Sequence, residues 1–173
     1  MPKNLLQWLF AIVAGALLAA AIETAPAQAR EMVPFAEAFY PGTIVIKTRE
    51  RRLYYVLGGG YAIRYPVGVG KAGQQWTGVA YIDDMRVAPE WAAPPAMRRD
   101  PYAIPVVIPG GAPENPMGAA ALTLTGGEYA IHGTNQPASI GGFVSAGCIR
   151  MHNEDVVDLF ARVTVGTPVV VAR

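Results

Sequence analysis

Cys148 and His132 are the two residues whose chemistry best suits a covalent reaction. Cys148 is the single cysteine of the chain, and His132, one of two histidines, lies sixteen positions before it. A thiol with an imidazole base in reach is the pairing that activates a nucleophile for acyl transfer. A lone cysteine is often just a small buried apolar residue. It is therefore the pair, with Gly147 favouring a tight turn before the thiol, that indicates a cysteine acyltransferase.

The residues around this pair form a longer motif. It reads His132-Gly133-Thr134 and then, after an interval, Ser145-Ala146-Gly147-Cys148-Ile149-Arg150-Met151. This motif resembles the active site of the YkuD-type L,D-transpeptidases, whose pattern is His-Gly-Thr followed at a similar interval by Ser-His-Gly-Cys-Ile-Arg-Met. Ala146 departs from the pattern, because the family more often has histidine there. That change bears on pocket shape and substrate preference more than on activity.

The resemblance covers roughly residues 43–173. Further segments that match are residues 65–71, residues 115–118 and, without the proline of the family's turn, residues 76–79.

The resemblance implies a reaction on the tetrapeptide stems of peptidoglycan. The Cys148 thiolate would attack the carbonyl between an L-centre and the terminal D-alanine. His132 would hold the proton, keep the sulfur anionic as an ion pair and then protonate the leaving amine. The carbonyl of Gly133 would orient the imidazole. The N–H groups of Gly147 and Cys148, with Ala146 as a third donor, would form the oxyanion hole.

The identity of the acceptor and the roles of two neighbouring side chains, Arg150 and Ser145, stay open. An amine of a second stem would give a 3→3 cross-link, an amine of an envelope lipoprotein would give attachment, and water would give hydrolysis. Arg150 suits either a clamp on a substrate carboxylate or a buttress on loop carbonyls. Ser145 suits either a substrate contact or a local backbone partner. The resemblance also implies acylation of Cys148 by carbapenems.

Two other function classes remain as alternatives. A non-catalytic cell-wall-binding module would not need Cys148 and His132 together. A cysteine protease or a sortase-like enzyme would share the pair, but a sortase is expected to have an arginine well downstream of its cysteine. Here Arg150 and Arg162 follow soon after.

The elements that must position these residues are mainly short strands. Apolar and β-branched runs predict strands at residues 43–48, 53–57, 61–65, 67–69, 79–82, 121–124, 129–131 and 168–171. Eight prolines between Val87 and Met117 predict a long ordered loop. One helix is expected after an N-cap at Asn153, with Val156, Leu159 and Val163 on its apolar face. We therefore expect a mainly β fold, the sandwich or barrel of the L,D-transpeptidase catalytic domain, with one helix in its C-terminal half.

The N-terminus is typical of an exported protein. Residues 1–29 combine Lys3, an apolar run and an Ala27-Gln28-Ala29 cleavage box, which predicts a signal peptide cleaved near Ala29. An uncleaved membrane anchor is the alternative. Residues 30–41 are predicted to be a linker and residues 42–173 the catalytic domain. In a bacterium, either reading places the domain in the periplasm or on the outer face of the cytoplasmic membrane.

Composition excludes several other functions. The chain has 14 Lys+Arg against 13 Asp+Glu, a formal charge of +1, which gives no basic surface for nucleic acid. One cysteine allows no intrachain disulfide, and two histidines leave few ligands for a metal. We therefore expect no metal, no cofactor and no nucleic-acid partner.

Overall fold

The computed structural model describes residues 30–94, 99–100, 107–126 and 129–173, and within these ranges the fold is mainly β, as predicted. The strands, in chain order, are β1 (Glu31–Pro34), β2 (Ile44–Lys47), β3 (Arg52–Gly58), β4 (Tyr61–Pro66), β5 (Val69–Gly70), β6 (Gly78–Val87), β7 (Trp91–Ala92), β8 (Val107–Ile108), β9 (Ala120–Leu124), β10 (Ala130–His132), β11 (Phe143–Ser145), β12 (Ile149–Arg150) and β13 (Pro168–Ala172). The helix, α1, spans Asn153–Phe160, and a 3-10 turn spans Pro137–Ser139.

The main sheet curls back on itself. Its order is β1-β4-β3-β2-β13-β6-β9-β10-β12, and two smaller sheets pair β11 with β5 and β7 with β8. Arg150 on β12 nevertheless bridges to Gly68, just beyond β4, and each backbone N–H donates to the other's carbonyl at 2.8 Å. Since β4 stands near the opposite end of the order, this bridge gives the sheet a barrel-like closure. It also connects the first half of the chain to the motif around Cys148.

The core occupies both faces of β2. Ile44 and Ile46 belong to the main cluster, which also contains Val156 and Leu159 of α1, whereas Val45 belongs to a second cluster on the other face. A strand buried on both faces has an uninterrupted apolar sequence, as β2 does. The helix therefore packs against the inner face of the curled sheet, as expected.

The segment predicted to be a linker contains structure. Glu31–Pro34 pairs antiparallel with β4, and Arg64 of β4 forms an ion pair with Glu31. Phe35 follows directly and is buried in the second cluster, where its ring lies 5.1 Å from that of Tyr54. The sequence does not predict this strand or the burial of Phe35, because two prolines and several charged residues break the apolar pattern of the segment.

The N-cap prediction for α1 is wrong. His152, with φ −58° and ψ 149°, is the N-cap, and Asn153 is the first helical residue. The helix ends at Phe160, so Arg162 and Val163 lie beyond its last turn. The Asn153 side chain bonds Thr134 and Ala119, far away in sequence, and so does not cap the helix.

The predicted strands are confirmed, but several short strands were not predicted. Each predicted strand overlaps an observed one, but the two- and three-residue strands β7, β8, β11 and β12 were not foreseen. The proline-rich loop contains the antiparallel pair β7–β8, and its residues 95–98 and 101–106 lie outside the described residues. The predicted signal peptide, residues 1–29, also lies outside them. No helix within the described ranges is long and apolar enough to cross a membrane.

Candidate active site

A cavity of about 200 Å³ brings the two predicted reacting residues together. Its lining combines the proline-rich loop with the ends of β10, β11 and β12: Trp91, Pro94, Pro116, Met117, His132, Ser145, Ala146, Cys148 and Arg150. A second cavity, of about 270 Å³, is lined by Thr134 and Asn153 but by neither His132 nor Cys148, so it does not contain the reacting pair.

His132 is held at the end of β10, between two neighbouring strands. β9 pairs with β10 on one side and β12 on the other, with His132 opposite Arg150. The imidazole is buried, and its Nδ1 lies 2.6 Å from the carbonyl oxygen of Gly133. Because a carbonyl oxygen can only accept, Nδ1 carries the proton and Nε2 is the basic nitrogen of the neutral ring. The contact that the resemblance implies for Gly133 is therefore present.

Asn153 fixes the backbone that follows His132. Its Oδ1 accepts from the N–H of Thr134 at 3.0 Å and from the N–H of Ala119 at 3.1 Å, and its Nδ2 donates to the Thr134 carbonyl at 3.1 Å. An added Cβ on Gly133 would lie 2.2 Å from the same Oδ1, so a side chain at position 133 has no space. The Gly133 carbonyl is thus anchored by the start of α1.

Ser145 braces the turn that carries the thiol. Its Oγ accepts from the N–H of Gly147 at 3.1 Å and donates to the carbonyl of Cys148 at 2.6 Å. Gly147 has φ +129°, a conformation that favours glycine. Ser145 therefore acts as a local backbone partner, and its bond occupies the Gly147 N–H that we expected in the oxyanion hole.

Arg150 offers a cation to the cavity. Its backbone is fixed by the bridge to Gly68. Its guanidinium makes no hydrogen bond or ion pair with any residue in the part of the chain that the structure describes.

Burial sets the charge state of the reacting pair. Desolvation lowers the pKa of His132 to about 4, and the nearby Arg150 charge lowers it further, while the carbonyls of Gly133 and Pro116 oppose the shift. Desolvation also raises the pKa of Cys148, against smaller opposing effects of the Ala130 backbone and Arg150. Both directions favour a neutral thiol beside a neutral imidazole. This differs from the expected resting ion pair, because that pair would place two charges in a poorly solvated cavity.

Sequence reasoning missed three residues near the site. Asn153 was taken for a helix cap, and Pro116 was noted only as part of a matching segment. Trp76 was given no role, but its Nε1 donates to the Gly147 carbonyl at 3.1 Å. Each acts through a partner distant in sequence, which spacing alone does not reveal.

Comparisons with known proteins identify the family of the chain. Residues 41–171 match the YkuD family, the L,D-transpeptidase catalytic domain. The probable L,D-transpeptidase ErfK/SrfK of Escherichia coli is 41% identical over 136 residues, which are 73% of this chain and 42% of that protein. The putative L,D-transpeptidase YqjB of Bacillus subtilis is 36% identical over 145 residues, 80% of this chain and 76% of that protein. The chain thus spans less than half of the Escherichia coli relative.

Solved structures share the fold. An L,D-transpeptidase from Mycobacterium smegmatis aligns with a TM-score of 0.60 at 18% identity, over 76% of this chain and 58% of that one. At such low identity the alignment supports the architecture alone. The family match over 41–171 is independent of it, and by that match the chain belongs to the YkuD family of L,D-transpeptidase catalytic domains.

Proposed function

We propose that this protein is an exported cysteine L,D-transpeptidase that acts on peptidoglycan tetrapeptide stems through a thioester acyl-enzyme. One observation carries the proposal: Cys148, His132 and Arg150 line the same cavity, and the Gly133 carbonyl holds Nδ1–H of His132 so that Nε2 is the free base. A nucleophile, a base that is oriented and a cation for a carboxylate are the parts that acyl transfer from a peptide requires.

The reaction starts from the neutral pair. As Cys148 Sγ bonds to the substrate carbonyl carbon, its proton passes to Nε2 of His132. The carbonyls of Gly133 and Pro116 favour the imidazolium that results. His132 then gives this proton to the leaving amine as the C–N bond breaks, which leaves the thioester on Cys148. An incoming amine loses a proton to His132 in the second half-reaction, and the thiol is restored.

The oxyanion hole is proposed at the turn before Cys148. The N–H groups of Cys148 and Ala146 are not engaged by described residues, so both are available to a developing oxyanion. Gly147 can contribute only if its N–H leaves Ser145 Oγ. We therefore propose Cys148 and Ala146 as the principal donors and Gly147 as a conditional one.

Arg150 is proposed to bind a carboxylate of the stem peptide. The planar guanidinium suits bidentate contact with a carboxylate, whereas a lysine at the same place offers a point charge. Arg150→Lys should therefore raise KM for stem peptides more than it lowers kcat. An unchanged KM in this variant would contradict the proposed contact. Ser145, also expected near substrate, is assigned to bracing the turn.

The acceptor distinguishes cross-linking from its alternatives. A second stem amine gives a 3→3 cross-link, an envelope lipoprotein amine gives protein attachment, and water gives carboxypeptidase- or endopeptidase-type hydrolysis. Mass spectrometry of peptidoglycan fragments incubated with purified enzyme separates these products by mass. Cross-linked dimers that are lost in Cys148→Ser, and reduced roughly 100-fold in rate in His132→Gln, are the expected result. Dimers formed by Cys148→Ser would contradict the mechanism.

A non-catalytic cell-wall-binding module remains the second candidate function. It would bind the same fragments without product formation, and Cys148 would not react with an electrophile near neutral pH faster than a buried thiol does. Stable binding of fragments with no new mass would favour this candidate.

Export is proposed from residues 1–29. Cleavage near Ala29 would leave Arg30 as the first residue of a periplasmic enzyme. The intact mass of protein recovered from the periplasm tests this directly. A mass that retains residues 1–29, with the protein in the membrane fraction, would indicate the uncleaved anchor instead.

A further inference from the structure

The backbone of Gly147 lies on a pair of stacked aromatic rings. Trp76 and Tyr129 are parallel, with ring centroids 4.9 Å apart and an angle of 8° between their planes. A Cβ built on Gly147 would lie 2.3 Å from Cε1 and 2.8 Å from Cδ1 of Tyr129, so this backbone is in direct contact with the ring. Both rings are half-buried and pack against the main core. They therefore form a rigid support beneath the turn that carries the nucleophile.

Trp76 also holds one atom of this turn by a hydrogen bond. Its Nε1–H donates to the carbonyl oxygen of Gly147 at 3.1 Å. That oxygen belongs to the same peptide group as the N–H of Cys148. In a trans peptide the carbonyl and the N–H point in opposite directions, and the described residues contain no cis peptide. Fixing the Gly147 oxygen on Trp76 consequently directs the Cys148 N–H away from Trp76.

The cavity is lined by residues of the turn but not by the two rings. Ser145, Ala146 and Cys148 line it, whereas Trp76 and Tyr129 do not. On the same turn, Ser145 Oγ holds the Gly147 N–H and the Cys148 carbonyl. The Cys148 N–H is the amide between these anchors that no described residue engages. A donor on the carbonyl of a peptide group also polarises that group's N–H and strengthens it as a donor.

We propose that Trp76, supported by Tyr129, is a positioning residue that orients and polarises the Gly147–Cys148 peptide so that the Cys148 N–H stabilises the oxyanion. The inference rests on the proposed function, since it assigns a role in forming the acyl-enzyme. It concerns one step, the attack on a carbonyl. Displacement at a saturated carbon by the same thiol develops no oxyanion and does not need this peptide group.

That difference supplies the test. In the test, the acylation of Cys148 by imipenem is measured as the intact mass of the protein against time. The alkylation of Cys148 by iodoacetamide is measured in parallel. Trp76→Phe removes the indole N–H and keeps a ring to stack on Tyr129. We expect it to slow acylation about tenfold, which is less than the effect of losing an oxyanion donor itself, and to leave the alkylation rate within about twofold of wild type.

Tyr129→Phe is the matched control, because the Tyr129 hydroxyl makes no hydrogen bond to any described residue. It should match wild type in both reactions. Tyr129→Leu removes the stacked ring but leaves the Trp76 donor, and should slow acylation severalfold with little change in alkylation. Should Trp76→Phe not fold, as judged by circular dichroism, the comparison of Tyr129→Leu with Tyr129→Phe carries the test.

The outcomes separate this inference from the proposed function. Acylation of Trp76→Phe at the wild-type rate would overturn the inference while leaving the proposed function intact. Equal slowing of acylation and alkylation would also overturn it, because it would indicate a general disturbance of the thiol. A wild-type protein that is alkylated but never acylated would overturn the proposed function, and this inference with it.

Discussion

His132 ends β10 and Cys148 directly precedes β12, beside apolar residues of the proline-rich loop such as Pro116 and Met117. His132 is buried and Cys148 is half-buried here. Desolvation lowers the pKa of His132 and raises the pKa of Cys148, and both shifts favour the neutral form. We therefore propose that the proton transfer that makes the thiolate occurs when substrate binds. Sequence predicted both residues and the Gly133 contact, because all three lie in one motif. It did not predict the charge state, which depends on burial.

The first prediction concerns the alkylation of Cys148 as a function of pH. A neutral thiol with a raised pKa should react with iodoacetamide at a rate that grows about tenfold per pH unit through neutrality. A resting ion pair would instead give a plateau across neutral pH. Cys148 is the single cysteine, so all alkylation of a thiol reports on it. Such a plateau, absent in His132→Gln, would show that the ion pair exists in the free enzyme.

A second prediction concerns stability and the charge of His132. The pKa of His132 is about 4 in the folded protein and about 6.5 when unfolded. Between these values the unfolded chain binds a proton that the folded one does not, so the free energy of unfolding falls as pH falls, by up to about 1.4 kcal/mol per pH unit. Below about pH 4 His132 is protonated in both states, so it causes no further loss of stability.

His132→Gln removes this dependence and serves as the reference. Urea titrations from pH 7 to pH 4 should show wild type losing stability relative to the variant over this range, since all other groups titrate alike in both. Parallel curves for the two proteins would mean that His132 titrates in the folded state as it does in the unfolded chain.

At the scale of elements, α1 packs on the core and also holds two segments of backbone near the site. Its first residue, Asn153, joins the segment after β10 to the segment before β9 through Thr134 and Ala119. The apolar pattern predicted where the helix lies. It could not predict that Asn153 faces these partners, since they are 19 and 34 positions away along the chain. The same limit applies to β11 and β12, which are too short to show a strand period.

Asn153→Ala should lower both stability and activity. It leaves the N–H groups of Thr134 and Ala119 without their acceptor, which should cost about 1–2 kcal/mol at this partly exposed position. It also frees the Gly133 carbonyl, so acylation of Cys148 should slow severalfold. Asn153→Asp keeps the acceptor but loses the donor to the Thr134 carbonyl, so its stability should lie between those of Asn153→Ala and wild type. Denaturant unfolding and acylation rates measure the two effects, and an Asn153→Ala variant that acylates at the wild-type rate would show that Gly133 needs no such anchor.

At the scale of the whole molecule, the curled sheet brings distant parts of the chain to the site. The bridge between Gly68 and Arg150 and the pairing of β5 with β11 join the first half to the motif. Sequence patterns predicted a mainly β domain from its β-branched runs. They did not predict the pairing order, or that the segment before residue 42 completes the sheet, because both depend on contacts across the fold.

Phe35→Ala tests whether that segment belongs to the folded domain. Phe35 is 7% exposed in the second cluster. Its truncation should lower the free energy of unfolding by about 3 kcal/mol, as measured by urea titration. Acylation of Cys148 in the folded variant should be unchanged, since this cluster lies on the face of the sheet opposite the main core. No loss of stability would mean that residues 30–41 behave as a linker after all.

The central claim is that Cys148 forms an acyl-enzyme. A carbapenem tests this claim, because its strained cyclic amide presents the electrophilic carbonyl that the stem peptide does. The measurement is the intact mass of the folded protein after incubation with excess imipenem. The account predicts one drug adduct per chain, located on Cys148 and absent from Cys148→Ala. An adduct that persists in Cys148→Ala, or no adduct on the folded wild-type protein, would contradict it.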